Sequence, residues 1–128
     1  MNQNRSLKIL IVDDEEIVRF TLGEFLQMIG HETDLRGDGL SGKESLQHTA
    51  YDLAFFDIRM PGLSGISLLQ QALAIQPHLP IVVMSGHGDS EIRQEALMAG
   101  AFSFVFKPFR LQEISEIVEN VQHIGKID

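Results

Sequence analysis

The chain of 128 residues contains no cysteine, so neither a disulfide framework nor a thiolate metal site can be built from it. It is short of positive charge: ten Lys and Arg stand against eighteen Asp and Glu, for a formal charge of −8. That balance repels phosphate backbones and anionic lipid, so neither direct nucleic-acid binding nor a membrane role is expected. No apolar stretch reaches the roughly 18 residues of a membrane span, and residues 1 to 6, Met-Asn-Gln-Asn-Arg-Ser, are polar. The chain is therefore read as cytoplasmic. No repeat, low-complexity tract or linker interrupts it. With 44% hydrophobic and 22% charged residues, it is neither a disordered nor a collagenous chain. Its length suits one domain over residues 1–128, with 1–6 as a flexible lead and 125–128 as a tail or the start of a linker.

What is present is a repeated punctuation. Apolar runs lead from Leu7 to Val12 before Asp13-Asp14, from Leu53 to Phe56 before Asp57, from Ile81 to Met84 before Ser85, and from Phe102 to Phe106 before Lys107. Stretches of helical period separate them. Val18, Leu22, Phe25 and Ile29 form one stripe that ends near Gly30. A short strand is expected at about His31 to Leu35, then a helix over 40–49 anchored by Leu40 and Leu46, then a third strand from Tyr51 to Phe56 covered on both faces. Pro61-Gly62 has turn chemistry, and Ser64 suits the N-cap of a helix carrying Leu68, Leu69, Ala72 and Leu73. Pro80 precedes the fourth strand. Asp89 or Ser90 can cap a helix with Ile92, Ala96 and Ala99 that stops at Gly100, and Leu111, Ile114, Val118 and Val121 mark the last one.

Five strands alternating with five helices predict an α/β fold with a parallel sheet, and right-handed crossovers leave few topologies. We expect the flavodoxin-like (βα)5 doubly wound parallel sheet, strand order 2-1-3-4-5. There the first and third strands adjoin at the switch point, and the polar groups gather at one sheet edge.

Three carboxylates at that edge need a cation. At about 4–5 Å and an effective dielectric near 20, each ionised pair repels by roughly 3–4 kcal/mol. Oxygen ligands without His or Cys select a hard ion, so Mg2+ is expected, with Mn2+ as a substitute. A carboxylate beside such an ion can attack phosphorus and form an acyl phosphate. Asp57 stands alone after the central strand and is the candidate nucleophile; Asp13 and Asp14 are the ion-holding groups. Phosphoryl transfer is mostly positioning and charge neutralisation. Lys107 can pair with one phosphoryl oxygen, the Ser85 hydroxyl can bond a second, and the ion can take the third.

Over essentially its whole length the chain resembles the receiver domains of bacterial two-component response regulators. The residues that carry the likeness are Asp13-Asp14, Asp57 in Asp57-Ile58-Arg59-Met60-Pro61-Gly62, Ser85 in Met84-Ser85-Gly86-His87-Gly88, and Lys107-Pro108-Phe109. The resemblance implies that Asp57 accepts a phosphoryl group from a sensor histidine kinase, a phosphotransfer protein or a small donor such as acetyl phosphate, and loses it slowly by self-catalysed hydrolysis. It implies that the Arg59 backbone carbonyl joins the metal ligands, that Ser85 moves toward the phosphoryl group, and that Phe104 rotates inward behind it. Arg59 and His87 then modulate water access and phosphoryl lifetime, and a cis Lys107-Pro108 bond is expected. The output surface implied is the fourth helix, fifth strand and fifth helix, which would meet a downstream effector or attached output domain, or a second copy as a homodimer.

Each feature taken singly has a plainer reading. Asp13 to Glu16 could simply open a helix and complement its dipole. Ser85 could be a strand-end hydroxyl, Lys107 a solvated charge, and Phe102, Phe104 and Phe106 one core face. A haloacid-dehalogenase type phosphatase would place Asp-x-Asp after the first strand, where adjacent Asp13-Asp14 stand instead. A flavin module would need a hydroxyl- and glycine-rich phosphate loop there, which the acids oppose. A receiver-like interaction module that is not phosphorylated in use is the mildest alternative.

Overall fold

The computed structural model describes residues 5–86 and 90–124. Ten elements alternate along it: β1 Lys8–Val12, α1 Glu16–Met28, β2 Glu32–Arg36, α2 Gly39–His48, β3 Leu53–Asp57, α3 Gly65–Ile75, β4 Ile81–Gly86, α4 Ser90–Met98, β5 Ser103–Lys107 and α5 Leu111–Ile124. The strands form one sheet in the order β2-β1-β3-β4-β5, and every neighbouring pair is parallel. This is the doubly wound order expected from the sequence.

The period of two along each strand divides the core into two layers. Leu10, Val12, Ala54, Phe56, Ile81 and Val83 pack with Leu46 of α2, Leu68, Leu69 and Ala72 of α3, and Ala96 of α4. Their neighbours Ile9, Ile11, Leu53, Phe55, Val82 and Met84 pack with Leu22 and Leu26 of α1 and with Ile114, Val118 and Val121 of α5. All five residues of β3 are buried, so the central strand reads as a continuous apolar run because both faces are covered.

Several expectations need correction. Leu40 is 71% exposed and does not anchor α2. The inner face of that helix is Gly39, Gly42, Ser45 and Leu46, and a Cβ at Gly42 would stand 2.7 Å from Val12 Cγ2. Leu40 lies off that face, and at the start of the helix a Cβ on Gly39 would stand 2.8 Å from Leu63. Ile29 and Leu111 are also exposed: Ile29 follows the last turn of α1, where Leu26 takes the inward place, and Leu111 is the first residue of α5. Strands β2 and β5 run one residue later than expected, β3 starts two residues later and ends one later, and β4 continues through Ser85 to Gly86, so Asp57 and Lys107 are the last residues of their strands and Ser85 lies next to the end of its own. Ser64 does cap α3, accepting from the Ser67 N–H at 3.3 Å. Ser90 is the first residue of α4; the alternative cap, Asp89, lies outside the described residues, as does His87.

Candidate functional site

Four strand ends meet at the carboxyl edge of the sheet. Asp13 follows β1 directly and is completely buried; Asp57 closes β3, and Ser85, 1% exposed, lies one residue beyond Met84, the register partner of Asp57. Lys107 closes β5 opposite Gly86. Asp13, Asp14 and Asp57 each present a carboxylate oxygen within 4.8 Å of the other two. Lys107 Nζ lies 2.8 Å from Asp13 Oδ2, 2.9 Å from Glu15 Oε1 and 3.3 Å from Asp57 Oδ1.

The backbone pins these groups from several sides. The Asp13 N–H donates to the Arg36 carbonyl at 3.1 Å, its carbonyl accepts from Arg19 Nη1 at 2.8 Å, and its Oδ1 accepts from the Glu15 N–H at 2.9 Å. Asp13 Oδ1 thus closes a turn just ahead of α1, whose N-cap residue Glu15 makes no side-chain cap hydrogen bond. On β3, Gly65 lets the first turn of α3 close on the strand end: its N–H donates to the Ile58 carbonyl at 3.0 Å, and a Cβ there would overlap the Asp57 carbonyl oxygen and stand 2.6 Å from Ile58 Cα. Between them, Gly62 makes the turn with φ of +79°, a conformation open to glycine at little cost.

Charge and burial compete at Asp57 and at Lys107. Burial raises Asp57 from the ordinary carboxylate range to about 6, and the nearby Asp13 charge adds to this; Lys107 and the Arg59 backbone N–H pull it back. For Lys107, burial alone would lower the ammonium pKa, but the carboxylates of Asp13, Glu15 and Asp57 beside it outweigh this and raise the value. Lys107 stays protonated. Asp13 Oδ2 is the telling atom. It is buried and accepts no hydrogen bond; the 2.8 Å approach of Lys107 Nζ is an ion pair in distance without hydrogen-bond alignment. A buried anionic oxygen without a hydrogen bond, on a carboxylate grouped with two others, fits a hard divalent cation bound through oxygen.

The structure thus gathers Asp13, Asp14, Asp57 and Lys107, and sets Ser85 at the adjoining strand end. Arg59 follows in the β3–α3 loop with its N–H directed at Asp57. Phe104 is half-buried against the α2, α3 and α4 layer, its ring centroid 5.2 Å from that of Phe106 in an edge-to-face contact. The Lys107-Pro108 bond is cis. Sequence reasoning missed Glu15 as a partner of Lys107, Arg19 as the brace of Asp13, and Gly65 as the close contact under Asp57. Glu15 was in view within the acidic run Asp13 to Glu16, but only the fold brings β5 against that loop.

Comparison with known proteins agrees with this geometry. A family model described as "Response regulator receiver domain" matches residues 9–119. The chain is 36% identical to regulatory protein AtoC of Escherichia coli over 88% of its length and 24% of that protein, and 34% identical to transcriptional regulatory protein FixJ of Bradyrhizobium diazoefficiens over 88% and 55%. It therefore spans about a quarter and about half of these relatives. Sporulation initiation phosphotransferase F of Bacillus subtilis is 31% identical over 88% of this chain and 90% of its own length. Among solved structures, the receiver domain of NtrX from Brucella abortus superposes with a TM-score of 0.86 at 35% identity, covering 90% of this chain and 98% of that one. From strand order to sequence identity the findings converge, and the chain belongs to the receiver domains of two-component response regulators.

Proposed function

We propose that the chain is a phosphorylation-activated switch in which Asp57 is the phosphoacceptor. The observation that carries this reading is the gathering of three carboxylates within 4.8 Å of one another beside a partly buried lysine 3.3 Å from the Asp57 oxygen. An Asp57 carboxylate oxygen attacks phosphorus as the P–N bond of a phosphohistidine, or the P–O bond of acetyl phosphate, breaks; the electron pair leaves with the donor atom and an acyl phosphate forms. Lys107 neutralises one phosphoryl oxygen and Ser85 donates a hydrogen bond to another. Asp13, Asp14 and Asp57, with the Arg59 carbonyl, would hold Mg2+, or Mn2+ in its place, and the ion would supply positive charge beside the phosphoryl oxygens.

The donor is a sensor histidine kinase or phosphotransfer protein. The added charge of about −2 draws Ser85 inward and Phe104 behind it, which alters the face made by α4, β5 and α5. That face meets an effector, an attached output domain or a second copy of the chain. Incubation with acetyl phosphate and Mg2+ is expected to add one hydroxylamine-labile phosphoryl group, read by intact-protein mass spectrometry, and Asp57→Asn is expected to gain none. Undiminished label in Asp57→Asn would overturn the assignment.

A further inference from the structure

We propose that Glu15 is a positioning residue for phosphoryl transfer: its carboxylate holds the Lys107 N–H that a phosphoryl oxygen on Asp57 must take. The inference rests on the reading of Asp57 as acceptor. An ammonium group has three N–H donors, and three carboxylates surround this one, Asp13 at 2.8 Å, Glu15 at 2.9 Å and Asp57 at 3.3 Å. Of these, Glu15 Oε1 accepts a hydrogen bond from Nζ, whereas Asp13 Oδ2 accepts none, so Glu15 holds a donor that an incoming phosphoryl oxygen needs.

Which partner yields follows from burial. Asp13 is completely buried and braced through its N–H, its carbonyl and its Oδ1. Asp57 is the residue that receives the group. Among the described residues the Glu15 side chain is held by Lys107 alone; it is 61% exposed, and water can solvate it as it swings away, so its release is the least costly of the three. In the resting state Glu15 therefore stands in for the phosphoryl oxygen. Its charge at the rim also opposes a dianionic donor. Both effects slow phosphorylation, and Glu15→Gln relieves both while keeping the size of the side chain.

Glu16, the next acid, is exposed at the start of α1 and has no ion pair among the described residues, so Glu16→Gln makes the same charge change without touching Lys107. The test compares wild type, Glu15→Gln and Glu16→Gln by initial rate of acetyl phosphate labelling. Side-chain NMR of the Lys107 ammonium is recorded alongside in metal-free, unphosphorylated protein. Glu15→Gln is expected to label about two- to fivefold faster at low ionic strength, an advantage that shrinks as salt is added, and to speed hydrogen exchange of the Lys107 ammonium. Glu16→Gln should resemble wild type in both measurements. Normal labelling of wild type with equal rates for all three proteins, equal acceleration by both variants, or an unchanged Lys107 signal in Glu15→Gln would each overturn the role of Glu15 and leave the acceptor assignment standing. A wild type that takes no label would instead overturn the acceptor assignment, and the role of Glu15 with it.

Discussion

Asp57 carries a charge that folding makes costly. Its pKa is raised to about 6 by burial and by Asp13, so in metal-free protein this group favours the folded state only when protonated. That contribution is complete below the ordinary aspartate value and is lost as pH rises through about 6. Asp57→Asn removes the penalty. Urea unfolding at neutral pH in the presence of a chelator should find it about 1–3 kcal/mol more stable than wild type, and a variant of equal or lower stability would contradict the electrostatic account. His31 has the opposite sign. Its Nδ1 accepts from the buried Leu7 N–H at 3.0 Å, and burial lowers its pKa, so its contribution is present above the ordinary histidine value of about 6.5 and lost as pH falls through the lowered one. The stability advantage of wild type over His31→Gln should shrink between about pH 7.5 and about pH 5.5. A constant difference across that range would mean that His31 does not titrate within it.

At the scale of elements, the site depends on how tightly α3 seats under β3. Gly65→Ala places a methyl group against the Asp57 carbonyl and 2.6 Å from Ile58 Cα, both backbone groups at the end of β3. Overpacking of that kind costs about 1–3 kcal/mol and shifts the Asp57 carboxylate, so Mg2+ binding measured by calorimetry should weaken together with stability. Gly86→Ala is the contrast, because none of the described residues lies within 4 Å of its added Cβ; equal losses in the two variants would show that the contact at Gly65 is unimportant. These contacts were not readable in advance. The turn at Pro61-Gly62 and the Ser64 cap follow from local chemistry, but the close approach at Gly65 and the inward glycines of α2 are set by neighbouring elements. That is why Leu40, expected as an anchor, is exposed. The Ser85 and Lys107 strand ends were legible as apolar runs ending in polar groups, whereas the meeting of Lys107 with Glu15 spans 92 positions of the chain.

Across the whole molecule, one sheet supplies side chains to both core layers, so neither layer can come apart without exposing strands that the other needs. Unfolding is expected as a single transition, with far-UV circular dichroism and the fluorescence of Tyr51, the one tyrosine, giving coincident curves. An ion held by carboxylates at the ends of β1 and β3 would bind the assembled edge and not the open chain. Mg2+ at a hundredfold excess over its dissociation constant should therefore add about 2.7 kcal/mol. That gain should vanish in Asp13→Asn with Asp57→Asn, and two separated transitions would argue against the shared sheet.

The alternation of apolar runs and helical stripes determined by itself that this chain makes five parallel strands and five helices, because periods of two and 3.6 are local properties of side-chain geometry. The identity of the groups at the strand ends was likewise written in the chain. Only the tertiary structure decided their company: which carboxylates share Lys107, which oxygen of Asp13 is left without a hydrogen bond, and how closely Gly65 lies under Asp57. Those facts depend on distances between residues far apart in sequence, set by packing across the sheet that no single segment encodes.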